Sequence, residues 1–314
     1  MRERAEAMVL ASFAADSHAL GAHWIYDPEE IKARYGRVER LLPAPPDSVH
    51  AGRSQGSFTH YGDQALLLLR YLASSKAFRA QEFAARWREF AASYDGYRDR
   101  TMQETLRGLE QGAPVTEASS GSTELSAAGR IAPLVYLYRD ELDEMVNAAG
   151  SHTTLTHNST IAVESTAFLA RVLWRVLNGK TPTGAIARVL QEGVPDEVRE
   201  LVTAGLDTMD EPTAVAAERF GRGCDAAAAL PLTVHLVAAY EGSLKGALVE
   251  NVGLGGDSAA RGMIVGMILG AFHGRDAIPD EWIEGMHAYR EISTLLEDLE
   301  ATLYRNGASS ATRG

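Results

Sequence analysis

Between Gly253 and Gly274 the chain is apolar almost without interruption. Met263, Ile264, Met267, Ile268 and Leu269 alternate with Gly262, Gly266, Gly270 and Gly274, which recur at every fourth residue. Positions four apart stack on one side of a helix, so the pattern predicts a buried helix whose glycine side admits a neighbouring backbone. Arg261 near its start and His273 and Arg275 at its end leave it short of the apolar length that spans a bilayer. Gly255 and Gly256 lead into Asp257, which falls at the helix N-terminus. There it serves either as a plain N-cap or beside exposed N–H groups that attract a ligand, with both glycines letting the backbone come close.

The rest of the chain reads as helices around this one. Met8, Val9, Leu10, Phe13 and Leu20 predict a helix over 3–22; others follow at 28–35, 62–75, 80–93 and 99–110. Residues 41–58, rich in Pro, Gly and Ser, predict a long surface loop of the kind that is functional or mobile. A second loop spans 112–123, and Pro133 is expected to bend or interrupt a helix that begins at 124. After a helix at 140–149, residues 151–160 read as a polar turn before a long helix over 158–178. Shorter helices are expected at 182–191, 195–207, 212–219 and 243–250, with 225–240 broken or bent at Pro231, and the last at 279–287 and 288–305. No stretch alternates with period two, so the fold class is all-α, read as one domain over 1–306 with a flexible tail at 307–314.

Composition narrows the partners. The chain has 314 residues, 46% hydrophobic and 23% charged, with a formal net charge of -12. Such a balance argues against nucleic acid, which is held by clustered cations, and no segment suits a membrane. A single cysteine, Cys224, excludes an internal disulfide, and with an N-terminus lacking a cleavage pattern this points to the cytoplasm.

Polar residues gather at three helix ends: DSHALGAHW at 16–24, THYGDQ at 59–64 and GGDS at 255–258. Asp16, Asp63 and Asp257 could meet in one pocket, and with Thr59 they offer oxygen ligands to a hard cation. Asp16 as a hydrogen-bonded core group and Asp63 as a helix cap are the plainer alternatives. His23 and His60 lie beside Trp24, Tyr61 and Gln64, a set fit for acid–base work next to a stacked ring or ribose. His157 sits in the polar turn, His235 reads as a satisfied core residue, and Cys224 as inert packing.

The order of these boxes resembles the ADP-ribosylglycohydrolase superfamily, most closely its branch with the jellyfish J1 crystallins and selenoprotein J. The likeness runs from about residue 7 to 274. It rests on a GDALG-like start (AADSHAL, then HWIYD), a TDDT-like box (THYGD), the turn Thr156-His157 and a GGDxDT-like box (GGDSAA). The resemblance implies an orthogonal all-α bundle with a central cleft, two Mg²⁺ ions and cleavage of ADP-ribose from modified side chains or related small molecules. It carries Asp16, Asp63 and Asp257 over as acidic members of the three boxes. The chain departs from it where Gly62, Ala259 and Ala260 replace acidic or hydroxyl positions, and where His23 stands in place of a common Glu.

Three readings follow. The first is a hydrolase of an ADP-ribosyl or related glycosidic bond, with Asp63 and Asp257 holding a metal or water and His23 replacing the missing carboxylate. The second is a metal-free acid–base set of His23, His60, Asp63 and Asp257 in the same cleft. The third is a ligand-binding, crystallin-like protein on the same scaffold.

Overall fold

The computed structural model describes residues 1–311, and among them there are helices and turns but no strand. The chain opens with α1 (Arg2–Ala19), α2 (Pro28–Tyr35), α3 (His60–Ser75), α4 (Ala80–Ser93) and α5 (Arg100–Glu110). Two short turns, α6 (Val115–Ala118) and α7 (Ser126–Gly129), precede α8 (Ala132–Leu137), α9 (Leu142–Thr156), α10 (Thr160–Leu177) and α11 (Pro182–Glu192). The second half carries α12 (Asp196–Asp207), α13 (Thr213–Phe220), α14 (Ala226–Ala239), α15 (Leu244–Leu254), α16 (Ser258–His273), α17 (Asp280–Gly285) and α18 (Tyr289–Ala311). The last of these enters the segment expected as a tail, of which 312–314 lie outside the described residues.

The centre is the pair α1 and α16. A methyl group on Gly266 would lie 2.6 Å from the Ala11 carbonyl oxygen, and one on Gly270 would lie 2.5 Å from the Ala11 Cβ and 2.9 Å from the Ala7 oxygen. Gly262 faces Ala15. Contacts thus descend along α1 as they climb α16, so the helices are antiparallel. The C-terminal end of α1, with Asp16, lies at the same end as the N-terminus of α16, with Asp257. Gly274 has no part in this stripe: at φ +83° it ends α16 as its C-cap.

Two local expectations need correction. Residues 151–156 belong to α9 and are not a turn, because their polar side chains have local and tertiary partners. Thr153 and Thr154 donate to the carbonyls of Ala149 and Gly150, the Thr153 and Thr166 hydroxyls lie 3.1 Å apart, and the His152 ring packs on Phe83. The interruption expected at Pro133 is present: α7 ends at Gly129 and α8 begins at Ala132, with Pro133 in its first turn, where a missing N–H costs nothing. Helix α14 runs unbroken through Pro231, with Gly205 of α12 set against the Pro231 carbonyl.

The glycine stripe gives a test. Gly266→Ala should cost about 1–3 kcal/mol by overpacking against backbone. Gly253→Ala, in open space on α15, should stabilise by about 0.5–1 kcal/mol. Urea unfolding midpoints that fail to move in opposite directions would refute the close approach of α1 and α16.

Candidate active site

The first turn of α3 lies at the same end of the central pair, and each of its residues holds something different. Thr59 is the N-cap: its hydroxyl accepts from the Tyr61 N–H and donates to Asp16 Oδ1 at 2.6 Å, and its own N–H donates to Asp16 Oδ2 at 2.8 Å. His60 Nε2 donates to Asp99 Oδ2 at 3.0 Å, and Asp99 also caps α5 through the Met102 N–H. The Tyr61 hydroxyl reaches Asp257 Oδ2 at 3.4 Å. Asp63 accepts from the Tyr94 hydroxyl at 2.6 Å and pairs with Arg53 at 2.9 Å.

Asp257 is the N-cap of α16, accepting from the Ala260 N–H, and it also faces His23. His23 Nε2 lies 3.1 Å from Asp257 Oδ1, and its Nδ1 lies 3.0 Å from His50 Nε2. A carboxylate can only accept, so the proton order is fixed: His50 donates to His23, which donates to Asp257. The segment carrying His23 is clamped to the third box. The Trp24 N–H donates to the Gly256 oxygen and the Gly256 N–H to the Ile25 oxygen. A Cβ on Gly256, at φ +67°, would lie 2.1 Å from the Arg222 carbonyl, so only glycine fits there.

The rings form one cluster. His23 lies 4.5 Å from Trp24, 5.2 Å from His50 and 6.2 Å from His60, and Tyr97 meets Trp24, His50 and His60 edge-on. His60 Nδ1 is buried among these rings with no partner. Two aspartate–histidine pairs, Asp257–His23 and Asp99–His60, therefore face one another within an aromatic enclosure.

Burial sets the protonation. It pushes the Asp16 carboxyl up to about 7, against the two Thr59 donors, and it also raises Asp63 against Tyr94 and Arg53. It pulls His23 down despite Asp257, and pulls His50 far down, helped by the nearby Arg53 guanidinium. For Asp99, burial acts upward, but His60 and the Met102 N–H outweigh it and hold the carboxyl below the usual range.

Several anticipated residues stand outside the ring cluster. Gln64 turns away, donating to the His60 carbonyl and accepting from Trp87 and Arg130. His157 bonds Ser126 and Thr156, with Glu124 at 3.8 Å. His235 is a satisfied core residue between Thr208 and Thr213. Burial and the Glu124 charge push the Cys224 thiol well up, which makes it a poor nucleophile. His50, Arg53, Tyr97, Asp99 and Glu124 were missed. The flagged loop at 41–58 was the one signal for His50, and the aromatic and acidic run 94–99 the one for Asp99.

The donor set does not fit the two Mg²⁺ ions that the resemblance implies. Asp63 is tied to Arg53 and Tyr94, Asp257 to His23 and Tyr61, and Thr59 to Asp16. A Cβ at Gly62 would lie 2.3 Å from Asp16 Oδ2, and Ala259 and Ala260 carry no oxygen in their side chains. Among the described residues no three His, Cys, Asp or Glu side chains group to hold a metal ion.

The family model described as ADP-ribosylglycohydrolase matches residues 1–309. Crystallin J1A of Tripedalia cystophora is 24% identical, with 95% of this chain and 96% of the relative covered. A protein of Archaeoglobus fulgidus is 25% identical over 88% of each. Among solved structures, one titled ADP-ribosylglycohydrolase-related protein complex superposes with a TM-score of 0.74 at 20% identity, covering 95% of this chain and 97% of that one, which establishes the all-α fold.

The Asp16 carboxyl gives a pH test. Its pKa is raised in the folded state, so its contribution to stability is complete below the unfolded value near 3.8 and is lost as pH rises through about 7. Asp16→Asn removes that titration. Relative to wild type, the variant should gain up to roughly 1.4 kcal/mol per pH unit between pH 4 and 7 and nothing above. Parallel urea-unfolding profiles across pH 4–8 would contradict it.

Proposed function

The chain belongs to the ADP-ribosylglycohydrolase family, and from that premise we propose that its ring cluster hydrolyses an ADP-ribosyl or related ribosyl glycosidic bond by acid–base chemistry of histidine and aspartate. One observation carries the reading: His60 gives its Nε2 proton to Asp99 and leaves Nδ1 unpartnered inside the enclosure. That nitrogen is a base oriented by a carboxylate, the arrangement that activates a water. Asp257, held by His23 and Tyr61, supplies negative charge for the positive charge that develops at the sugar carbon. Trp24 and Tyr97 offer ring faces and edges for a planar group.

A second reading has its own support. His23, His50, His60 and Asp257 are all buried and most of their polar atoms engage one another, Tyr61 and Asp99, and two relatives are named crystallins. On that reading a nucleoside raises the melting temperature and nothing is turned over.

The purified protein should release ribose or ADP-ribose from a ribosylated or ADP-ribosylated substrate, with the rate unchanged by EDTA. His60→Gln should lower kcat by about 10²–10⁴-fold, and Asp99→Asn should also lower it, both with melting temperatures near wild type. Activity abolished by EDTA, or kept in full by His60→Gln, would overturn the proposal; no release from any such substrate would favour the crystallin-like reading.

A further inference from the structure

Two cavities border the ring cluster and a third opens beside Glu124, and the walls of all three share one electrostatic character. Beside His23 and Trp24, a cavity of about 260 Å³ carries Arg34, which is paired with Glu30 at 2.6 Å and Asp47 at 3.0 Å. Beside His50 and Tyr97, one of about 430 Å³ carries Arg53, held on Asp63 with Asp95 at 3.9 Å. The third, about 400 Å³, has Arg100 paired with Glu104 at 2.6 Å, while Glu124 and Asp225 add further negative charge among the hydroxyls of Ser120 and Thr123. Every arginine in these walls is matched by a carboxylate. Arg222, which has no ion pair among the described residues, lines none of the three.

A diphosphate is recognised by unpaired cations or by free N–H groups at a helix start. Here the start of α16 is occupied by the carboxylate of Asp257 itself, and the chain carries a net charge of -12 that repels anions. Rings backed by carboxylates are instead the recognition chemistry of a cation.

We infer that the substrate is a ribosyl group lacking a diphosphate and joined to a cationic, planar nitrogen base, a step that rests on the hydrolytic reading above. His60 Nδ1, unpartnered among Trp24, His50 and Tyr97, is the base that takes the proton of the reacting water. The water oxygen bonds to the anomeric carbon and gives a proton to His60 Nδ1. The C–N bond breaks, and its electron pair passes to the ring nitrogen and cancels that nitrogen's positive charge. The leaving group needs no proton, which suits a cluster whose His23 and His50 are kept neutral by burial.

Nicotinamide riboside and NAD⁺ share one glycosidic bond and differ in the diphosphate-linked adenosine, so they form a matched pair of probes. By calorimetry on the whole protein at low salt, the riboside should bind at least about tenfold more tightly than NAD⁺. Glu124→Gln should weaken riboside binding severalfold and leave the melting temperature in place. Tighter binding of NAD⁺ or ADP-ribose would overturn the inference and leave the hydrolytic reading standing, and binding of neither probe would overturn it as well. Riboside bound in preference but never cleaved would uphold the preference while sinking the hydrolytic reading.

Discussion

The site hangs on the first turn of α3, where Thr59, His60, Tyr61 and Asp63 each engage a different acidic or phenolic group from elsewhere in the chain. A helix start is the place where carboxylates are welcome, because its N–H groups lack partners and its dipole favours negative charge. Asp16 takes the Thr59 N–H directly. The other acids are distributed along the turn and do not converge on one point. That distribution decides what the site is: an array of separate carboxylate–donor pairs surrounding a set of rings.

The turn can do this because α1 and α16 hold their ends together. Small residues on both helices bring the backbones close, and the antiparallel register places the end of the first box beside the start of the third. The clamp of Trp24 and Ile25 on Gly256 then fixes His23 over Asp257. A methyl group in the glycine stripe would act on the geometry of the ring cluster only through this register, far from the rings themselves.

Periodicity made most of the fold legible. Helices at 28–35, 80–93 and 182–191 were placed almost to the residue, since their apolar stripes are local properties of the sequence. The helical state of 151–156 is not legible locally, because its threonines and His152 look like turn residues until α10 and Phe83 supply partners. The three aspartates were found from their boxes, but their separate engagements were not visible, since they depend on Tyr94, Arg53 and Thr59 across the fold. His50 was hidden for a similar reason: nothing local in a Pro- and Gly-rich loop says that one of its side chains stacks on His23. Burial of a loop residue is a tertiary fact.

Position 62 ties these points together. The Asp16 carboxylate occupies the volume that any side chain at Gly62 would need, at 2.3 Å from its Cβ. With no room for an acid there, Asp16 is free to lean onto Thr59, and Thr59 is drawn away from any ligand role. An acid placed at 62 alone would meet the Asp16 oxygen before it met a cation, and two carboxylates so close cannot both stay charged. The glycine, the inward Asp16 and the committed Thr59 are therefore one arrangement and not three, and it turns these oxygens toward one another and away from a cation.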